Sequence, residues 1–158
     1  MPQRIVLHST ETDSNGVQSM KNIVSYWKTS TPGYGAHLII DGSGTVLRAV
    51  ADRNVAWHTG GNNTGSLGIE QVGHAAWPRR KWWTRPRQLM RVASWLAWWS
   101  VRYGIPLEPS ISHGVSTHAM NSKVFPASAG HWDPGEGYPF LFVLKLARTY
   151  KRFHKWNV

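Results

Sequence analysis

The sequence predicts a single α/β domain that spans residues 1–158. Two observations point to this fold class. Short apolar segments with the length of buried strands alternate along the chain with segments whose apolar residues recur at helical spacing. In addition, 158 residues of which 41% are hydrophobic suffice for one buried core, and no linker or internal repeat divides the sequence.

A strand and a helix are predicted at the start of the chain. Residues 4–8 read as a buried strand, because the middle three residues form a continuous apolar run. A polar loop follows, and then a helix of about three turns whose end is set by the proline and glycines of residues 31–35. The apolar stripe of this helix consists of Val17, Met20, Ile23, Val24 and Trp27.

The next part of the chain predicts a hairpin and a central strand. Residues 37–40 and 45–48 are short apolar runs on either side of the turn residues 41–44. Residues 66–73 are again mostly apolar, as expected for a central strand, and Glu70 stands out among them as the one acid.

The second half of the chain is predicted to be mainly helical. Residues 74–85 read as a loop rich in Trp and Arg, and Pro86 then starts a helix that Gly104 ends. A last helix starts at Pro139 and runs into the basic tail 151–155. One face of the long helix is expected to be covered by another segment, since it combines indoles with guanidinium groups: Arg91, Trp95, Trp98 and Arg102.

Charge and composition restrict the function. The chain has 18 Lys and Arg against 8 Asp and Glu, and this net charge of +10 favours a polyanionic partner such as nucleic acid, an acidic membrane or an anionic cell wall. The absence of cysteine excludes disulfides and thiolate metal sites, so any metal must be held by nitrogen and oxygen. No segment has the length and apolarity of a membrane span, and the first residues do not resemble a secretory signal.

Candidate metal ligands lie at three separated places in the chain. Asp133 is followed by Pro134 and Gly135 in a predicted turn, which would hold its carboxylate in a fixed position. His8 stands where the first strand stops, and both His113 and His118 lie upstream of the turn. Two histidines and one carboxylate are the ligand types of an open catalytic zinc site. Because lone histidines are usually structural or solvated, the residues alone leave a metal site and a structural role about equally open.

Glu70 is a separate candidate for chemistry. A carboxylate in an apolar strand is costly unless it is paired or used. It is either an edge residue that faces water or a general base whose pKa is set by burial and by nearby charge.

Several short motifs, in this order and spacing, resemble the zinc-dependent N-acetylmuramoyl-L-alanine amidases, which share their fold with peptidoglycan recognition proteins. More narrowly, the sequence is similar to the amidase modules of bacteriophage endolysins. The resemblance covers nearly the whole chain and implies a central mixed β-sheet flanked by helices. It rests on residues 6–10, 36–41 with 44–46, 56–60, 66–70, 103–106, 116–118 and 130–135.

The resemblance also implies roles for individual residues. His8, His118 and Asp133 match the zinc ligands, Glu70 matches the acid/base, and His131 matches the position that stabilises the oxyanion. The tyrosine that other relatives carry before the residue matching His37 is replaced here by alanine. The reaction implied is hydrolysis of the amide bond between N-acetylmuramic acid and the first L-alanine of the stem peptide. The residues that match the substrate groove and its rim are His37, His58, Gly60, Gly61, Asn62 and Asn63.

The second zinc ligand has two candidates. His113 follows Ile111 and Ser112 much as the family's ligand follows a short strand. His118, which follows Thr117 and precedes the segment 123–125, matches the phage pattern better and is preferred.

Two other functions remain alternatives. One is a module that binds peptidoglycan without cutting it, although non-catalytic relatives usually lack a zinc ligand. The other is a two-histidine phosphoesterase acting on RNA, for which residues 8–10 supply only one of the two His-x-Ser/Thr motifs required. Nucleic-acid binding alone would not explain the presence of Glu70 and Asp133, so we expect no nucleic acid partner.

The expected setting follows from the resemblance and the charge. A basic amidase of the phage type would be made in the host cytoplasm without a signal peptide and would act on the anionic cell wall after release. We expect a monomer, and the basic tail 151–155 is expected to help in wall binding.

Overall fold

The computed structural model describes residues 1–31 and 33–153. Within these ranges the chain forms five strands, five α-helices and one 3-10 turn, Pro126–Ser128. The elements in chain order are β1 (Arg4–Ser9), α1 (Val17–Thr29), β2 (Leu38–Ile40), β3 (Val46–Arg48), β4 (Ser66–Gln71), α2 (Arg79–Trp83), α3 (Pro86–Tyr103), β5 (Gly114–Thr117), α4 (His118–Ser122) and α5 (Phe140–Phe153).

The strands form one mixed sheet in the order β3-β2-β4-β1-β5. β1 lies between β4 and β5 and is parallel to both, while β2 is parallel to β4 and antiparallel to β3. The predicted α/β fold with a central mixed sheet is therefore confirmed, and so is the predicted hairpin, which is the β2–β3 pair. β1 has the continuous apolar run of a strand that is buried on both faces.

Side-chain alternation divides the sheet into two different faces. Ile5 and Leu7 of β1 and Leu67 and Ile69 of β4 belong to the main core, which α3 and α5 cover. The opposite face carries a smaller cluster in which Met20 of α1 packs with Ile39 and Val72. His8 of β1 and Glu70 of β4 also lie on this second face, at the carboxyl ends of these two parallel strands.

Two short helices were not expected from the sequence. α2 lies inside the segment predicted as a loop, because fully buried Trp82 anchors that segment against Trp77 and Tyr138. α4 begins directly after β5, and the Thr117 hydroxyl caps it by accepting a hydrogen bond from the Met120 amide. Neither helix is long enough to show a helical period in its sequence.

The long helix α3 has the predicted bounds, from Pro86 to Tyr103. Trp95 and Trp98 on its second face are half-buried and pack against the main core. The Arg48 guanidinium lies 5.2 Å from the Trp95 ring centroid, so the hairpin supplies part of the expected cover. Pro32 and the end of the predicted basic tail, His154 and Lys155, lie outside the described residues.

A search of the described helices finds none with the length and apolar character needed to span a bilayer.

Gln88 links α3 to the sheet and provides a test of the fold. Its side-chain amide is buried and donates to the carbonyls of Ile40 and Val72, 2.8 and 3.0 Å away. Gln88→Ala should lower the free energy of unfolding by about 1–3 kcal/mol, because buried carbonyls lose their donor. Urea unfolding measures the loss. Gln18→Ala on exposed α1 is the matched control and should cost less than about 0.5 kcal/mol; equal costs would contradict the proposed role of Gln88.

Candidate functional site

The strand register brings separate polar residues together at one edge of the sheet. His8 of β1 pairs directly with Glu70 of β4. Thr117 of β5 pairs with Leu7, so His118, the next residue, comes beside His8. Carboxyl ends of parallel strands are a usual place for sites in α/β proteins, because the chain leaves the sheet there and side chains converge.

His8, His118 and Asp133 form a compact and buried cluster. His8 Nδ1 lies 3.1 Å from His118 Nδ1 and 3.2 Å from Asp133 Oδ2, and His118 Nδ1 lies 3.1 Å from Asp133 Oδ1. Their relative exposures are only 1%, 6% and 8%. In the described part of the chain this is the one group of three such side chains close enough to share an ion.

The turn after Asp133 holds its carboxylate against β1. The Gly135 amide donates to the Trp132 carbonyl at 3.0 Å, and the Ala119 amide donates to the Asp133 carbonyl at 3.0 Å. Gly135 has φ +85°, and a side chain on it would collide with the Ala75 carbonyl. The turn expected from the sequence is therefore present, and only glycine fits its last position.

The donor set fits a zinc ion. Tetrahedral zinc with Zn–N bonds of about 2.0–2.1 Å requires its ligand atoms to lie about 3.3 Å apart, close to the spacing observed. Burial lowers the pKa of His8, which keeps the ring neutral. Burial would raise the pKa of Asp133, but the adjoining rings of His118 and His8 outweigh it and hold the pKa well below its usual value. The neutral His8 ring and the Asp133 carboxylate, with His118 beside them, thus offer three donor groups to a cation.

The structure favours His118 over His113 as the second ligand. His113 is exposed and precedes β5, next to the start of β1, whereas His118 follows β5 at the edge where His8 lies. The two histidines are five residue steps apart along this extended segment, which separates them by roughly 16 Å at about 3.3 Å per residue.

Glu70 lies beside the cluster on the same face as His8. With Ser9, Thr10, Asn22 and Tyr26 it lines a groove of about 410 Å³ between the end of β1 and α1. Its Oε2 atom is buried and has no hydrogen-bond partner among the described residues. Burial, with added repulsion from Asp133 and Glu11, raises the pKa of Glu70 well above its usual value. A half-buried carboxylate that opens on a groove is suited to exchange protons with a ligand.

His131 is exposed at the other side of the cluster. Its ring stacks on His118 with centroids 4.1 Å apart, and its Nδ1 lies 3.8 Å from Asp133 Oδ1. The imidazole can therefore present a hydrogen-bond donor to a molecule bound at the cluster.

Three of the residues expected at a substrate groove are buried beneath the cluster. His37 has no exposed surface, and its ring accepts from the Gly68 amide and donates to the Asn54 carbonyl. His58 is hydrogen-bonded between His8 and Ser66. Asn63 Oδ1 accepts from the amides of His58 and of Thr59. These contacts make the three side chains part of the support of the site.

The other three residues lie on the loop that follows His58. Gly60 and Gly61 are exposed, and the loop packs against residues 125–128. Asn62 is half-buried and donates to the Ile111 carbonyl and to Asn121 Oδ1. Of the six, the two glycines are the most exposed to solvent.

Ser66 and Gly68 were missed by sequence reasoning. Ser66 Oγ lies 3.0 Å from His58 Nε2, and a Cβ on Gly68 would lie 2.9 Å from ring atoms of His58. A glycine inside an otherwise apolar strand is a signal of close approach by another group. That signal was available in the sequence at Gly68, although it does not say which group approaches.

Comparison with known proteins agrees with this geometry. The profile of the family described as N-acetylmuramoyl-L-alanine amidase matches residues 1–136. No curated protein sequence matches the chain. Among solved structures, Staphylococcus aureus hydrolase AmiA superposes with a TM-score of 0.74 at 18% identity, covering 95% of this chain and 73% of that one.

Two further solved structures show the same fold. N-acetylmuramoyl-L-alanine amidase LysC from Clostridium intestinale gives a TM-score of 0.66 at 22% identity and covers 90% of this chain and 82% of its own. Drosophila peptidoglycan recognition protein SD gives 0.68 at 19% identity, with coverages of 89% and 79%. At these identities the likeness establishes the fold, and the family profile establishes the family.

Metal analysis of two variants tests the ligand cluster. His118→Ala should lose bound zinc, because it removes one of three ligands, whereas His113→Ala should keep it. Elemental analysis of the purified and dialysed proteins measures the metal content. Retention of zinc by His118→Ala together with its loss from His113→Ala would reverse the assignment.

Proposed function

The chain belongs to the N-acetylmuramoyl-L-alanine amidase family, and we propose that it uses zinc held by His8, His118 and Asp133. It is an amidase that hydrolyses the bond between N-acetylmuramic acid and the L-alanine of the peptidoglycan stem peptide. The observation that carries the zinc proposal is the convergence of three buried ligand atoms within 4.8 Å of one another. Zinc at such a site supplies Lewis-acid chemistry, lowering the pKa of water and polarising a carbonyl.

Glu70 is the proposed acid/base. Its carboxylate faces the groove beside the cluster, within reach of a water molecule and of an amide bound there. It takes the proton from the attacking water and later delivers that proton to the leaving amine. Its raised pKa fits the first step, because the Glu70 carboxylate accepts the water proton more readily than an ordinary surface carboxylate and then holds it until the amine leaves.

His131 is proposed to stabilise the charge that develops on the amide oxygen. It is the one exposed imidazole stacked on the ligand cluster in the described chain, so its N–H can point into the site. Loss of one such donor typically costs about 2.7–4 kcal/mol of the activation barrier.

The groove beside α1 is the proposed place for the substrate. Its hydroxyl and amide side chains can bind peptide and sugar groups, and Tyr26 offers an exposed ring for stacking. Gly60 and Gly61 add exposed backbone on the loop that follows His58. The buried His37, His58 and Asn63 hold the site in place from below.

Glu70→Gln tests the acid/base role. The amide has the same shape but cannot accept the proton, so hydrolysis of purified peptidoglycan should fall by about 10²–10⁴-fold. Zinc content should stay unchanged, because Glu70 is not among the proposed ligands. Release of new L-alanine amino termini measures the reaction. Glu108→Gln removes an exposed carboxylate elsewhere and is the control; full activity of Glu70→Gln with zinc bound contradicts the role.

A non-catalytic peptidoglycan binder is the second candidate, since a recognition protein shares the fold. The complete His-His-Asp cluster and the groove-facing Glu70 favour hydrolysis. The same amino-terminus assay separates the two, because a binder releases no new termini. Hydrolysis of RNA that persists in the presence of a chelator would instead point to the two-histidine phosphoesterase, which needs no metal ion.

The positive charge is concentrated on the helical layer that covers the main core. Residues 79–103 and 140–153, which include α2, α3 and α5, contain eleven Lys and Arg and no Asp or Glu. This cationic layer lies on the sheet face opposite His8 and Glu70. We propose that it binds the anionic polymers of the bacterial wall, which leaves the groove on the other face free for substrate.

We also propose a role in wall lysis of the endolysin type, with release from the host cytoplasm and a monomeric enzyme. The family membership and the cationic layer support this role. A related neighbour, from Clostridium intestinale, is described as an endolysine.

Wall binding should depend on salt and on the cationic layer. Binding to nuclease-treated walls should fall as salt rises, because the Debye length shrinks from about 30 Å at 0.01 M to about 8 Å at 0.15 M. A triple variant, Arg80→Gln, Arg87→Gln and Lys145→Gln, should weaken binding in a pelleting assay. The matched control loses the same charge from exposed residues elsewhere, by Lys21→Gln, Lys28→Gln and Arg53→Gln. Equal losses of wall binding in both triple variants would show that binding is not confined to the cationic layer. Binding that does not change with salt would contradict the electrostatic explanation.

A further inference from the structure

We propose that Ser66 and His58 are positioning residues that fix His8 in the tautomer able to bind a metal ion through Nδ1. The inference rests on the proposed ligand cluster and extends it inward, to side chains that do not touch the ion or the substrate. It is drawn from a chain of hydrogen bonds that begins at the backbone carbonyl of Asn63 and ends at His8.

The direction of the chain is set at its inner end. The Asn63 carbonyl can only accept, and Ser66 Oγ lies 2.7 Å from it, so the single hydroxyl proton of Ser66 is donated there. Ser66 Oγ also lies 3.0 Å from His58 Nε2. With its proton already used, the hydroxyl can only accept from His58, which places the His58 proton on Nε2.

The next link transfers this constraint to His8. A neutral His58 with its proton on Nε2 has a bare Nδ1, which lies 2.9 Å from His8 Nε2. That nitrogen must accept, so His8 carries its proton on Nε2. His8 Nδ1 is then bare, and it is this atom that lies within 3.2 Å of His118 and Asp133.

The opposite arrangement would block the site. If His58 carried its proton on Nδ1, it would donate to His8 Nε2, and a neutral His8 would hold its proton on Nδ1. A protonated Nδ1 cannot ligate a metal, and the ring would have to change its tautomer before binding. In many metal sites the ligand histidine donates a hydrogen bond from its second nitrogen, usually to a carboxylate or a carbonyl, and this bond fixes its tautomer. Here a second histidine and a serine make the connection to the carbonyl.

The packing around His58 leaves the ring little freedom. Its backbone amide donates to Asn63 Oδ1 at 2.8 Å, and its ring lies over Gly68, where a Cβ would come within 2.9 Å. The His58 and His8 rings meet edge to face, with an interplanar angle of 87° and centroids 5.0 Å apart. Ser66 and Gly68 are on β4, so the strand that carries Glu70 also supports the ligand histidine.

Ser66→Ala tests the inference through zinc affinity. Without the hydroxyl, no hydrogen-bond partner among the described residues holds the His58 proton on Nε2, and the blocking tautomer becomes accessible. Zinc affinity, measured by competition with a chromophoric chelator, should fall by about 10–100-fold. Ser100→Ala is the matched control, because Ser100 is an equally buried serine whose hydroxyl donates to a carbonyl, that of Ile105, away from the site. Its zinc affinity should not change.

A pair of substitutions at His58 separates the hydrogen bond from packing. In His58→Asn the side-chain oxygen can replace Nδ1 as the acceptor for His8, so most of the zinc affinity should return relative to His58→Leu. Circular dichroism of the metal-free variants verifies folding. Equal affinities of the Asn and Leu variants would show that His58 acts only by filling space and would overturn the proposal.

Nitrogen NMR of ¹⁵N-histidine-labelled, metal-free protein reads the tautomers directly. The wild type should show His58 and His8 both protonated on Nε2, and Ser66→Ala should show a mixture at His58. A wild-type His58 protonated on Nδ1 would overturn the inference. If the wild type binds no zinc, the proposed function fails; if it binds zinc and Ser66→Ala binds it equally well, only the positioning role fails.

Discussion

The contact between His8, His118 and Asp133 is the constraint on which the rest of the site depends. Three groups with lone pairs lie 3.1 to 3.2 Å apart in a buried place, where unpaired polar atoms are costly. A proton can satisfy part of this arrangement, since His118 Nδ1 can donate to Asp133. With the His8 proton on Nε2, the bare Nδ1 of His8 still faces a carboxylate oxygen, and a cation between them would be favoured. The parallel register of β1 with β5 supplies two of the groups, and the turn after Asp133 supplies the third. The fold therefore brings the cluster together without distorting any regular element.

One face of the sheet forms the main core and the other carries the candidate site, and this division explains where buried polar groups are tolerated. Ile5, Leu7, Leu67 and Ile69 face α3 and α5 and supply apolar burial. The residues that alternate with them, His8 and Glu70, point to the other face, which α1 covers only in part. A groove remains there, so Glu70 can be largely desolvated and still meet a ligand. Because the charge of the protein is carried by the outer helical layer, attraction to an anionic polymer does not compete with the chemistry for the same surface.

Much of the fold was predictable because local signals and tertiary packing agree. The apolar run of β1, the turn between β2 and β3, and the proline and glycine that bound α3 each act within a few residues. α2 was not predictable in this way, since its position depends on Trp82 reaching a core built from distant segments. At the site, His8 and Asp133 could be singled out from their local context, whereas the choice of His118 needed the family resemblance. The roles of His58 and Ser66 could not be read from the sequence, because hydrogen-bond direction depends on contacts between residues that only the register defines.

The support of the two ligand histidines is unequal, and this inequality has a consequence for how the site is organised. His8 belongs to the central strand, and its second nitrogen is held by His58. His118 begins a five-residue helix, and its Nε2 is buried without a hydrogen-bond partner among residues 1–31 and 33–153. Asp133 is on a turn. Because a hydrogen bond fixes the second nitrogen of His8 and no described group does so for His118, His8 is the better oriented of the two rings. Glu70 pairs with His8 in the parallel register, so the same two strands place both the proposed acid/base and the better oriented ligand of the site.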